Sequence, residues 1–231
     1  MSAPARNNDY LDPPTARTVA PTPRQHVVAP PAAHSFIDVW PEPVWLPAGA
    51  SAPSFWLVGA HGGAGASSLA ALWPLAGDAH GCFPGGAAGE SPFVVIVARE
   101  SEVGLSRAHD LINQHLSGHG GPGTVLVGLV LVAAKDGAAS TKLRHHAKVI
   151  SGLVSDRVWH IPWMPHWLEI TPADITPIAI DEPVPTKRRD KDLKEVIVAA
   201  HEIRDVIRTF IQTQSPMTQT ASTPHQGGQP Q

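Results

Sequence analysis

The run Thr124 to Ala133, TVLVGLVLVA, is apolar at odd and even positions alike. A strand with one wet face alternates between apolar and polar residues, so this run belongs inside a sheet that is covered on both sides, the setting of a central parallel strand. The longest apolar stretch, Val125 to Ala134, is about half of the roughly 20 residues needed to cross a bilayer. Phe55–Val58, Phe93–Ala98 and Val158–Ile161 have the same texture over shorter lengths. Between the runs lie helical patterns: Ser67 to Ala76, Glu102 to Leu116 with Leu105, Ala108, Leu111 and Ile112 on one face, and Ser140 to Ser151 with Leu143, Ala147 and Ile150. Strict alternation of strand and helix predicts a three-layer α/β domain over residues 51–170, with about four parallel strands and right-handed crossovers. Residues 77–92, rich in Gly, Pro and Ala, carry no strand signal and read as a loop.

The flanks differ in composition. Residues 1–50 are crowded with Pro, Ala and small polar residues and read as a disordered arm. Its end, Val39-Trp40-Pro41 to Pro43-Val44-Trp45-Leu46, is an aromatic anchor for the domain edge or for a partner. Residues 171–190 read as a Pro/Asp/Lys linker. Residues 191–213 read as one amphipathic helix with a stripe at Leu193, Ile197, Ala200, Ile207 and Ile211. Residues 214–231 are polar and read as a disordered tail. The lone Cys82 has no partner for an intramolecular disulfide, and the N-terminal segment has no signal-like apolar stretch, so a cytoplasmic protein without membrane attachment is expected. A formal net charge of -3 gives no global attraction for phosphate backbones.

The first strand runs into Gly59-Ala60-His61-Gly62-Gly63-Ala64-Gly65-Ala66-Ser67-Ser68 and then into a helix. A glycine loop in this place can turn backbone amides toward a phosphate. The segment resembles the deviant Walker A motif K-G-G-x-G-K-[ST] of the ParA/MinD ATPases, with His61 at the first lysine, Ala66 at the second and Ser67 at the magnesium-binding hydroxyl. Val97-Ala98-Arg99-Glu100-Ser101, Val132-Ala133-Ala134-Lys135 and Ile161-Pro162-Trp163 are similar to later strand ends of MinD-like proteins. The resemblance covers roughly residues 54–167. The pattern also resembles an uncharacterised mobile-element-associated family of high-GC Gram-positive bacteria, which has no assigned activity. The resemblance implies phosphate or anion binding by His61, Gly62, Gly63, Gly65, Ala66, Ser67 and Ser68, with Lys135 and Trp163 near a base. Both lysines of the motif are missing, and no Walker B carboxylate is evident, Asp78 and Glu90 being the only acids of residues 77–92.

These losses weaken binding and remove most of what phosphoryl transfer needs. The expectation is therefore a non-hydrolysing ParA/MinD-like binding or regulatory module, serving plasmid or mobile-element maintenance, with no catalytic residues. At most it carries a weakly bound nucleotide or phosphate. The glycines equally suit a turn with no ligand at all. One alternative is an active P-loop ATPase whose lysine comes from elsewhere, such as Lys135 or Lys142, or from a partner subunit. Another is a DNA-binding adaptor acting through Lys187 to Arg189 and the last helix. Trp163 either stacks on a base or plugs the sheet end. Thirteen histidines suggest metal, yet His145-His146 diverge on a helix and His80-Gly81-Cys82 lacks a second pair, so no metal site is expected. A protein partner is expected in a regulatory role.

Overall fold

The computed structural model describes Ala32, residues 35–187 and residues 190–214. Its elements in chain order are β1 (Phe55–Gly59), α1 (Ala66–Leu72), β2 (Ala76–Asp78), β3 (Phe93–Arg99), α2 (Glu102–Gln114), β4 (Val125–Val132), α3 (Thr141–Ser151), β5 (Val158–Ile161) and α4 (Lys191–Gln214). The five strands form one parallel sheet in the order β2-β1-β3-β4-β5. This is the α/β class expected, with one strand more than the apolar runs indicate. The extra strand, β2, begins at the last residue of the expected first helix, which ends already at Leu72, and continues into the segment read as loop. It has three residues, AGD, too short and too polar to register as a pattern, and forms by pairing Ala76, Gly77 and Asp78 with the open edge of β1.

Helices α2 and α3 cover one face of the sheet, over Val58, Ile96, Leu129 and Leu131, while α1 and α4 cover the other, over Leu57, Val95, Val130 and Val132. Strand β4 changes parity midway. Leu126 faces α2 and α3, as do Leu129 and Leu131, and Val127 faces the opposite way with Val130 and Val132. The cause is a bulge: the register against β3 shifts between Val94 and Val95, so that Leu126 and Gly128 oppose consecutive residues. The displaced Val127 carbonyl accepts from Arg157 Nε at 2.5 Å, and the Arg157 guanidinium stacks over Phe210 of α4 at 5.2 Å.

Strict alternation fails between β2 and β3, where residues 79–92 contain no helix. Part of the face so exposed is covered by chain assigned above to the disordered arm. Ile37, Val39, Trp40 and Leu46 pack against the α2/α3-side core and Val44 lies inside it. Val39 bridges Phe83, the Trp40 Nε1–H donates to the Ala79 carbonyl (2.9 Å), and the Val44 amide donates to Glu90 Oε1 (2.8 Å). Residues 35–46 are thus a strap on the domain, and the body begins before Ser51. Trp45 remains 60% exposed at its surface. Of residues 1–34 of the expected arm, all but Ala32 lie outside the described residues, as do residues 215–231 of the expected tail.

The expected linker also packs. Ile175 and Ile178 join the α1/α4-side core, the Ile178 amide donates to the Leu72 carbonyl (3.0 Å), and Arg204 of α4 holds the Ile180 carbonyl and the Asp181 carboxylate. Helix α4 buries Val196, Ile197, Ala199, Ile203 and Ile207 against its own domain, whereas Leu193 and Ile211 of the expected stripe are exposed. Arg188 and Arg189 lie outside the described residues. No helix among the described residues is long and apolar enough to cross a membrane.

Candidate functional site at the glycine loop

In the order β2-β1-β3-β4-β5 the winding reverses between β1 and β3, and the crevice beyond their carboxyl ends is where ligands enter doubly wound sheets. The glycine loop fills that position. Its turn needs left-handed backbone at Gly63 (φ 76°) and Gly65 (φ 102°), conformations that cost a side-chain-bearing residue about 1–2 kcal/mol. The loop is tied to the sheet by the Ala60 amide on the Val97 carbonyl (2.8 Å). Above it opens a cavity of about 640 Å³. All seven loop residues expected to meet an anion, His61 to Gly63 and Gly65 to Ser68, line it.

The cation at this loop is Arg99, the last residue of β3. Its Nε–H donates to the Gly63 carbonyl (2.9 Å), its Nη1 to the Ala133 carbonyl (3.0 Å), and its guanidinium lies 5.8 Å from the Trp163 ring centre. Burial pulls the Arg99 guanidinium below its ordinary value, and an arginine so lowered remains charged. His61 bridges loop and strand: its Nε2 accepts from the Arg99 amide (3.3 Å), which places the ring proton on Nδ1, donating to the Gly62 carbonyl (2.9 Å).

Across the cavity Ser67 Oγ–H donates to Asp78 Oδ2 at 2.5 Å, and Asp78 Oδ1 accepts from the His80 amide at 2.8 Å. Asp78, one of the two acids that give no Walker B signal in the sequence, thus lies beside the loop. Asp78 sits beside Ser67 because β2 pairs with β1, which the sequence does not announce. Arg107, on α2, also lines the cavity.

The remaining candidates separate. Lys135 lines a different cavity, of about 370 Å³, beside Glu100 and Glu102. Lys142 pairs with Glu102 at 3.4 Å. Neither amine lines the glycine-loop cavity, contrary to the expectation for Lys135 as a near-site group. Trp163 meets the site through Arg99, and Trp167 lines the cavity directly. Burial and the nearby Asp38 charge push the Cys82 thiol up, away from reactive thiolate. Among the described residues no three His, Cys, Asp or Glu side chains cluster as metal ligands.

Sequence reasoning missed Arg99, Arg107 and Asp78. Arg99 does carry a signal: it is the one charge closing six apolar residues, Phe93 to Ala98, at a strand end where ligand sites gather. Arg107 carries none, being one polar helix residue among several. As a unit, the arrangement brings two guanidiniums, Arg99 and Arg107, and one carboxylate, Asp78 hydrogen-bonded to Ser67, to the glycine-loop cavity. Comparison of the chain with family models, with curated proteins and with solved structures yields no match, so the reading of the site rests on this geometry.

Proposed function

We propose that the protein is a non-hydrolysing, ParA/MinD-like binding or regulatory module that holds a phosphate-bearing ligand in the glycine-loop cavity. The observation that supports this most directly is Arg99. It brings a guanidinium, the side chain best matched to phosphate geometry, to a loop that has lost its lysines. Arg99 is an anion holder rather than a lysine substitute for transfer chemistry, because two of its donors are committed to the Gly63 and Ala133 carbonyls. A role in mobile-element maintenance is the biological setting that the sequence resemblance implies, and a protein partner would read the bound state.

The pair Ser67 and Asp78 favours a second reading, magnesium-assisted nucleotide binding. A hydroxyl and one carboxylate suit Mg²⁺ when ligand phosphates complete the shell, so the residues fit the ion only together with a nucleotide. Calorimetry with pyrophosphate, ADP, ATP and GTP, with and without magnesium, separates the two. The proposal expects weak binding with little nucleoside preference and no ATP turnover above a buffer control. Tight binding of ATP that requires magnesium, with turnover, would replace it by the ATPase.

A further inference from the structure

The leading end of the strap enters the same cavity. Ile37 lines it, and its backbone is clamped on both sides by one side chain: the Ile37 amide donates to Gln114 Oε1 (3.0 Å) and Gln114 Nε2 donates to the Ile37 carbonyl (2.8 Å). Gln114 is 1% exposed and its amide also reaches the His119 carbonyl (3.0 Å). Two residues earlier, the Ser35 carbonyl accepts from Arg107 Nη1 at 3.4 Å, and Phe36 lies against His119 with ring centres 5.2 Å apart. From Val39 onward the chain is fixed in the core. Ser35 to Ile37 are therefore a short lip ahead of Asp38, whose carbonyl accepts from the Phe83 amide (2.9 Å), and the lip is held by polar contacts of two α2 side chains, one ring contact and the packing of Ile37 against the α2/α3-side core.

We propose that Ser35–Ile37 form an autoinhibitory lip on the glycine-loop cavity, and that lip docking and anion binding oppose one another. Two contacts set that sign. The Ile37 side chain takes up wall space in the cavity. Arg107, a cation lining the cavity, is turned to a neutral carbonyl by the docked lip at a length that marks a weak hydrogen bond. A phosphate-bearing ligand long enough to reach from the glycine loop to Arg107 offers that guanidinium a charge-assisted bond instead, roughly twice as strong as the neutral one. A ligand with two or more phosphate groups can meet both guanidiniums that line the cavity, Arg99 and Arg107, and is the class this reading selects. Because coupling between two binding events is reciprocal, a ligand that loosens the lip is itself bound more tightly when the lip is weakened.

This inference rests on the anion-binding reading above, and the experiment separates the two. The full chain is titrated with pyrophosphate by calorimetry, alongside Gln114→Ala, which removes the clamp, and Ile37→Ala, which clears the wall without leaving a polar group unpaired. Hydrogen exchange of the Ile37 amide is followed with and without pyrophosphate. The lip requires both faster Ile37 exchange at saturating pyrophosphate and at least about fivefold tighter binding by Ile37→Ala, the lower end of ordinary coupling. Should Gln114→Ala fail to fold, Ile37→Ala carries the test. Binding that Arg99→Met weakens, with Ile37 exchange unchanged or slowed, or with Ile37→Ala no tighter than wild type, overturns the lip alone. No binding by any of these proteins overturns the site and the lip together.

Discussion

Replacing Arg99 by methionine removes one charge from the glycine-loop cavity while keeping most of the side-chain volume. A guanidinium carries five N–H donors. Two are used, on the Gly63 and Ala133 carbonyls, which leaves three for a ligand. If one of these makes a charge-assisted bond to phosphate, its loss costs about 1.5–3 kcal/mol, or about 10- to 150-fold in affinity. The fold should lose less, because Arg99 is partly exposed and water can reach the carbonyls it leaves. Arg99→Lys keeps the charge but not the fork, and its pyrophosphate affinity should fall between wild type and Arg99→Met. Calorimetry at low and high salt is the assay, and the gap between wild type and Arg99→Met should narrow as salt screens the cavity. A folded Arg99→Met protein that binds pyrophosphate with an unchanged dissociation constant refutes the assignment of Arg99, and with it the main support for an anion site.

Two further predictions concern stability. At Gly128, beside the β4 bulge, a Cβ would lie 2.5 Å from the Arg157 carbonyl oxygen and 2.6 Å from the Trp159 ring, so Gly128→Ala should destabilise by about 1–3 kcal/mol in urea unfolding. An unchanged midpoint would mean that β5 can move away from the bulge. His115 follows α2 with Nε2 on Thr124 Oγ1 (3.1 Å) and a buried, unpartnered Nδ1, and burial lowers its proton affinity below the ordinary histidine value. The unfolded chain then binds more protons than the folded one, so stability is full above about pH 6.5 and declines as the pH falls below it, by at most about 1.4 kcal/mol per pH unit. His115→Gln should flatten that slope in thermal melts between neutral and mildly acidic pH. An equally steep slope in the variant assigns the effect to another group.

How far these features were legible in the sequence follows from what each segment needs. Strands β1, β3 and β4 are apolar on both faces because helices cover both, and that demand is written in Phe55–Val58, Phe93–Ala98 and Val125–Val132 themselves, while the edge strand β5 is marked by Val158, Trp159 and Ile161 around an exposed His160. Strand β2 makes no such demand. Ala76-Gly77-Asp78 pair with β1 through backbone groups that every residue has, and the short hydrogen bond from Ser67 to Asp78 was therefore hidden as well. The strap was misjudged for a related reason: its few apolar residues are scattered among prolines, and only the missing helix between β2 and β3 creates the surface they fill. In the site, glycine spacing located the loop, while the cation beside it depended on which strand ends the topology brings together. Lys135, attractive by motif, lies in the loop after β4, which is one strand farther from the glycine loop than β3 with its Arg99.

The strap also has a consequence for the order in which the protein assembles. Ile37 meets Gln114 across 77 residues of chain, and Val44 meets Glu90 across 46. During synthesis these N-terminal residues leave the ribosome first and yet have nothing to dock on until β3 and α2 exist. Contacts so distant in sequence are closed late, after local strand and helix pairs have formed, because the entropy of joining the ends is spent before the contact returns anything. Until then Phe83 and the uncovered side of β1 stay open to water, and to other chains. The nascent protein is consequently most prone to association between completion of the sheet and docking of the strap, and a fragment starting at Ser51 would remain in that state permanently.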